Sequence, residues 1–232
     1  MDDAVPAVKT PTIGIVAEGA SDQVVLQFIL AGYFGDKDID PNPLQPLRDA
    51  TGKFESSGWS LVLEYCASEN FRRAFVNNEY IIIQIDTDVS EKHPSYGVPH
   101  QDANGPLSCE KLVEAVCAKL VDKIGAEFYE QHKDRIIFAV SVHSLECWLL
   151  PLHWDDSRRG RIENCLKSLN EQLAKQGYTI HDKDSARYRR AAKDYAKPRV
   201  LKERWHQNPS LKIFVDNLEQ RFQRGFTLSD TT

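Results

Sequence analysis

Apolar residues in this chain fall into short continuous runs, separated by amphipathic stretches and by segments rich in Pro, Gly and Asp. Such alternation predicts strands and helices in turn. Thr12–Ala17 (TIGIVA) is an apolar, β-branched run that ends in Glu-Gly and reads as a strand. Ser21 then offers a cap for a helix through Tyr33, with Val24, Val25, Phe28 and Ile29 at helical spacing. Residues 35–58 read as a long connection, Trp59–Cys66 (WSLVLEYC) as a second strand and Glu69–Asn78 as a short helix. Tyr80–Ile85 (YIIIQI) is the clearest buried strand and stops at Asp86, after which residues 90–106 read as loop. A helix is expected over 108–132, starting at Ser108 and carrying Leu112, Val116, Leu120 and Ile124 on one face. Arg135–Val142 (RIIFAVSV) supplies a fourth strand. Helices over 143–150, 161–176, 185–206 and 209–223 complete the chain, with Pro198 kinking or dividing the third of them.

Continuous apolar strands between helices predict an α/β fold with a four-stranded, mostly parallel sheet covered on both faces, followed by a helical C-terminal extension. Residues 151–160 (PLHWDDSRRG) are the candidate linker, dividing the chain into 1–150 and 151–232.

Composition narrows the class. With 232 residues, 41% hydrophobic and 27% charged, the chain is neither disordered, fibrous nor membrane-like. No stretch approaches the roughly 20 apolar residues of a membrane span. The acidic start MDDAVPAVKTP lacks the basic and apolar regions of a signal peptide, so a cytoplasmic location is expected. Cys66, Cys109, Cys117, Cys147 and Cys165 form an odd set with no CxxC spacing. Reduced core thiols are therefore expected, not a disulfide framework or a structural zinc. A formal net charge of −5 argues against a positively coated surface but leaves room for a local basic face.

Candidate chemistry lies where strands end. In an open parallel sheet, sites form beyond the carboxyl ends of the strands. Glu18 follows the first strand in AEGASD, and Asp86 and Asp88 follow the third in IDTD. At period two, the latter pair can point the same way across Thr87. Clustered carboxylates repel one another unless a cation compensates them, and Mg²⁺ or Mn²⁺ prefers such hard oxygen ligands. An acidic residue after a strand also serves as a turn former, and Asp22 can sit in a first helical turn simply to favour its dipole.

The pair IVAEGASD and IIIQIDTD resembles the Toprim domain of primases, of type IA and II topoisomerases and of OLD-type nucleases, over residues 11–142. That family carries a Glu after its first strand and a DxD after its third on a four-stranded parallel sheet, and binds Mg²⁺ there. The resemblance implies that Glu18, Asp86 and Asp88 are metal ligands, with Asp22 a supporting or second-metal group. HSLECWLLP (143–151) also looks like a stretch that follows the sheet in small stand-alone Toprim-like proteins of bacterial defence loci. Glu146 within it can reach the same cluster, whereas His143 reads more simply as a cap.

Arg187, Arg189, Arg190, Lys193, Lys197, Arg199, Lys202 and Arg204 crowd the C-terminal segment, interleaved with Tyr188, Tyr195 and Trp205. Positive charge with aromatics is a footprint for phosphate backbone and exposed bases, although charge runs are usually solvated faces. Lys197 or Lys202 is a candidate to stabilise transferring phosphate. The expectation is a Mg²⁺- or Mn²⁺-dependent endonuclease acting on DNA or RNA, with Glu18, Asp86, Asp88, Glu146 and Lys197 as its catalytic set. The absence of a G-x-x-x-x-G-K-[ST] motif places any ATPase of the OLD type on a separate regulatory protein, and the resemblance then suggests an anti-phage effector. A non-catalytic scaffold, or a phosphotransferase or phosphatase on a small molecule, are the alternatives. The oligomeric state is left open.

Overall fold

The computed structural model of the chain describes residues 10–47, 56–181 and 184–223. Four strands build one sheet: β1 (Ile13–Val16), β2 (Asn42–Gln45), β3 (Tyr80–Asp86) and, later in the chain, Ile136–Ser141. Between β3 and that last strand, β4 (Gln101–Asp102) and β5 (Gly105–Pro106) form a small antiparallel hairpin, so Ile136–Ser141 is β6. The sheet order is β2-β1-β3-β6 and every pairing in it is parallel.

The helices are α1 (Ala20–Phe34), α2 (Trp59–Cys66), α3 (Glu69–Ala74), α4 (Cys109–Ile124), α5 (Ala126–His132), α6 (Glu146–His153), α7 (Cys165–Lys175), α8 (Ser185–Ala192), α9 (Pro198–Arg204) and α10 (Pro209–Phe222). Period-two alternation splits the strand residues between two cores. Ile13, Ile15, Ile82, Ile137 and Ala139 face α1 and α6 to α10, whereas Val16, Ile81, Ile83, Ile85 and Val140 face α2, α3 and α4. The C-terminal helices belong to the first of these cores through Leu169, Tyr188, Tyr195, Trp205 and Phe214. Gly32 of α1 permits that packing, because a Cβ there would lie 1.9 Å from the Tyr195 carbonyl oxygen.

Several expectations are corrected. Trp59–Cys66 is a helix and not a strand. Its buried Val62, Leu63 and Cys66 fall on one helical face, and a short apolar run does not distinguish the two periods. The second strand lies instead in the expected connection, as NPLQ. Pro43 is tolerated because β2 is an edge strand, where a missing N–H costs no ladder bond. Residues 48–55 of that connection lie outside the described residues. Gly19, not Ser21, occupies the cap of α1, and Ser21 sits inside the first turn. Gly125, at φ 91°, breaks the expected 108–132 helix into α4 and α5. His143 precedes α6 and adopts φ 60°, so it does not start that helix. Pro198 divides 185–206 as expected, taking the first position of α9. Within the candidate linker, α6 continues to His153 and Trp154 is buried.

Cys147 and Cys165 form a disulfide that ties the start of α6 to the start of α7. This corrects the expectation of reduced thiols throughout, since proximity created by folding is invisible in the Cys spacing. Cys66, Cys109 and Cys117 are free.

Candidate functional site

Strands β1, β3 and β6 run parallel, so their carboxyl ends share one edge. Glu18 follows β1 by two residues, Asp86 ends β3, and Asp88 lies two residues beyond it. The loop after β6 is locked to the end of β3. His143 N donates to Thr87 Oγ1 at 2.8 Å, while the His143 carbonyl accepts from Asp88 N at 3.0 Å. That interlock places α6, and Glu146 at its first position, beside the β3 end. Asp22 reaches the same edge from the first turn of α1.

The cluster is tied together through its backbone and through Gln84. Glu18 Oε1 accepts from Asp86 N at 2.8 Å. Asp86 Oδ1 accepts from Gln84 Nε2 at 2.8 Å, and its Oδ2 accepts from Leu145 N at 3.3 Å. Gln84 Oε1 in turn accepts from Glu18 N at 3.3 Å. The Asp86 carbonyl accepts from the Tyr96 hydroxyl at 2.9 Å. Glu146 Oε1 accepts a short hydrogen bond from the Tyr188 hydroxyl of α8. Asp22 is buried, Glu18, Asp86 and Glu146 are half-buried, and Asp88 is exposed.

Electrostatically the cluster is under strain. Desolvation pushes the Glu18 carboxyl up to about 8, and Asp22, Asp88 and Glu146 repel its charged form further. Desolvation, reinforced by the charge of Glu146, pushes Asp22 up to about 7 against backbone hydrogen bonds at its own residue and Gly19. Asp86 is raised well above the usual carboxylate range by desolvation and then by Glu18, Asp22, Glu146 and Asp88. Asp88 is also raised by desolvation, which Lys92 and His143 oppose. The main influences on Glu18, Asp22 and Asp86 include no cation.

By donor chemistry the five carboxylates suit a hard divalent ion: oxygen ligands whose mutual repulsion a cation relieves. Yet among the described residues no three His, Cys, Asp or Glu side chains are gathered tightly enough to hold an ion. Glu18 and Asp86 instead give carboxylate oxygens to Asp86 N, Gln84 and Leu145 N.

The basic residues are placed differently. Arg187 pairs with Asp184 at 2.8 Å, Lys197 with Asp194 at 2.7 Å and Arg199 with Glu203 at 2.8 Å. Arg204 pairs with Asp155 at 3.1 Å. Arg189 lies over Phe28 and Arg190 over Tyr178, with ring-centroid distances of 5.5 and 3.9 Å. Lys193 and Lys202 are exposed. Lys197, the cation expected to act on transferring phosphate, is not among the main charges acting on Glu18, Asp22, Asp86 or Asp88. Tyr188, Tyr195 and Trp205 are buried, at 5%, 0% and 2% exposure, so none offers a stacking surface for a base. The expectation of interleaved, accessible aromatics is corrected: the helical period turns the cations outward and the rings into the core.

Sequence reasoning missed Gln84, Tyr96 and Tyr188. Gln84 left a signal, being the single polar residue inside an otherwise apolar run. Tyr188 left none, since its partner lies 42 residues away. Comparison of the chain with protein-family models, with curated proteins and with solved structures finds no match.

Proposed function

We propose that the protein is a divalent-metal-dependent hydrolase of phosphodiester bonds in nucleic acid, with its site at the carboxyl edge of the sheet. The observation that carries this reading is the convergence there of Glu18, Asp22, Asp86, Asp88 and Glu146. The first four are all raised by desolvation, and among their main influences a cation appears at Asp88 alone. Like charges held together at a strand end are costly without a cation, and such sites are where function is found. The E…DxD placement on a parallel sheet supports the Toprim resemblance as the parent architecture.

Glu18, Asp22, Asp86 and Asp88 would hold Mg²⁺ or Mn²⁺, and such an ion supplies Lewis acidity toward a phosphoryl oxygen and acidifies bound water. The chain's own groups do the rest. Gln84 fixes Glu18 and Asp86 relative to each other from inside the sheet. Asp88 is the exposed member of the set and the one a substrate would meet first on this reading. The outward cations of α8 and α9 suit the phosphate backbone, the sequence-independent part of nucleic-acid binding. Burial of Tyr188, Tyr195 and Trp205 favours recognition of backbone over bases. An anti-phage role under a separate ATPase is the biological setting that the resemblance suggests.

The test is incubation of the purified protein with plasmid, single-stranded DNA, bulk RNA and tRNA, with EDTA, Mg²⁺ or Mn²⁺, alongside Asp86→Ala. Cleavage that needs the metal and disappears in the variant supports the reading. Absence of both cleavage and calorimetric metal binding overturns it.

A further inference from the structure

The C-terminal region reaches into the carboxylate cluster through one side chain. Tyr188 is 5% exposed, and its hydroxyl donates a short hydrogen bond to Glu146 Oε1. Helix α8 is braced on both helices that carry acidic members of the cluster. It packs against α1, which bears Asp22, and its Ala191 carbonyl is hydrogen-bonded by His153 Nε2 of α6, which bears Glu146, at 3.0 Å. The same short helix presents Arg189 and Arg190 to solvent. A phenol at neutral pH can only donate to a carboxylate, and close packing of the ring in the core holds that donor in place.

We infer that Tyr188 is a positioning residue which aims the Glu146 carboxylate into the acidic edge, so that the ion-holding site is completed by α8 and not by the sheet alone. The inference rests on the metal-site reading. Glu146 commits Oε1 to Tyr188, and its charge acts on Glu18, Asp22, Asp86 and Asp88. Partners that orient a carboxylate around a metal change affinity by about 10- to 100-fold when removed.

The experiment is calorimetric titration of Mn²⁺ into the full-length apo protein, for wild type, Tyr188→Phe, Tyr195→Phe and Glu146→Gln, with the Mn²⁺ electron-spin signal of the bound ion as a second readout. Tyr195 is the matched control: its buried hydroxyl donates to the Trp148 carbonyl, not to a carboxylate. Expected is an about tenfold weaker Mn²⁺ affinity and an altered spin signal for Tyr188→Phe. Tyr195→Phe should lose similar thermal stability with unchanged affinity. Adding Tyr188→Phe to Glu146→Gln should then weaken binding no further, a cycle that holds even where the single variant is poorly stable. Wild-type affinity in Tyr188→Phe, or equal losses in both tyrosine variants, overturns the inference while leaving the metal site standing. A wild type that binds no ion overturns both.

Discussion

Two charged regions of this protein, the acidic sheet edge and the basic C-terminal segment, are built in opposite ways. The acidic groups are few, scattered along the chain from Glu18 to Glu146, and folded into one desolvated cluster whose members repel one another. The basic groups are many, adjacent in sequence, and mostly committed on the surface to neighbours such as Asp184, Asp194 and Glu203. Charge density along a chain therefore says little about electrostatic stress. A surface pair is screened and contributes about 0–1 kcal/mol, whereas like charges in a desolvated site shift one another's protonation strongly.

The largest expected effect strikes the acidic edge. On the proposed reading, Asp86→Ala should lower metal-dependent cleavage by on the order of a thousandfold, because a bound ion would supply several kcal/mol of charge stabilisation. Retention of activity would move the chemistry elsewhere. The second effect concerns stability without metal. Glu18 and Asp22 bind protons more tightly folded than unfolded, so stability should fall as pH rises from their ordinary values toward about 8 and about 7. Glu18→Gln keeps an acceptor for Asp86 N and removes one repelling charge. It should flatten that decline and raise the melting temperature in EDTA at pH 8 by a few degrees. Scanning calorimetry across pH 5–8 reads both, and a melting temperature that climbs over this window would refute the strain.

Smaller effects probe the basic side. Charge reversal of Lys193, Lys197 and Lys202 to Glu should weaken nucleic-acid binding and flatten its salt dependence by about 0.9 for each duplex phosphate no longer neutralised. Fluorescence anisotropy over a salt series measures this, and an unchanged slope would exclude the segment as a docking face. Lys197→Ala alone breaks the pair with Asp194 and should cost under about 1 kcal/mol in chemical denaturation. A loss of turnover in that variant far exceeding its loss of binding would return Lys197 to the catalytic set.

Strands β1, β3 and β6 are legible because each is a short, largely apolar run rich in Ile and Val. Strand β2 is not, because NPLQ has neither apolar run nor alternation and is held by pairing with β1. Helix α2 reads as a strand because eight residues are too few to separate a helical face from a buried strand. Among site residues, Glu18, Asp86 and Asp88 are marked by their positions after strands, which is a local signal. Tyr188 and the Cys147–Cys165 bond carry no local signal at all.

Local pattern by itself determined the parallel α/β class and the carboxylates at the strand ends, because periodicity and strand termination are properties of neighbouring residues. Only the tertiary structure decided which of those carboxylates repel one another, which aromatics are core, and which helix packs beside the cluster. Those outcomes depend on distances and desolvation between residues far apart in sequence, set when α1, α6 and α8 pack together on one face of the sheet.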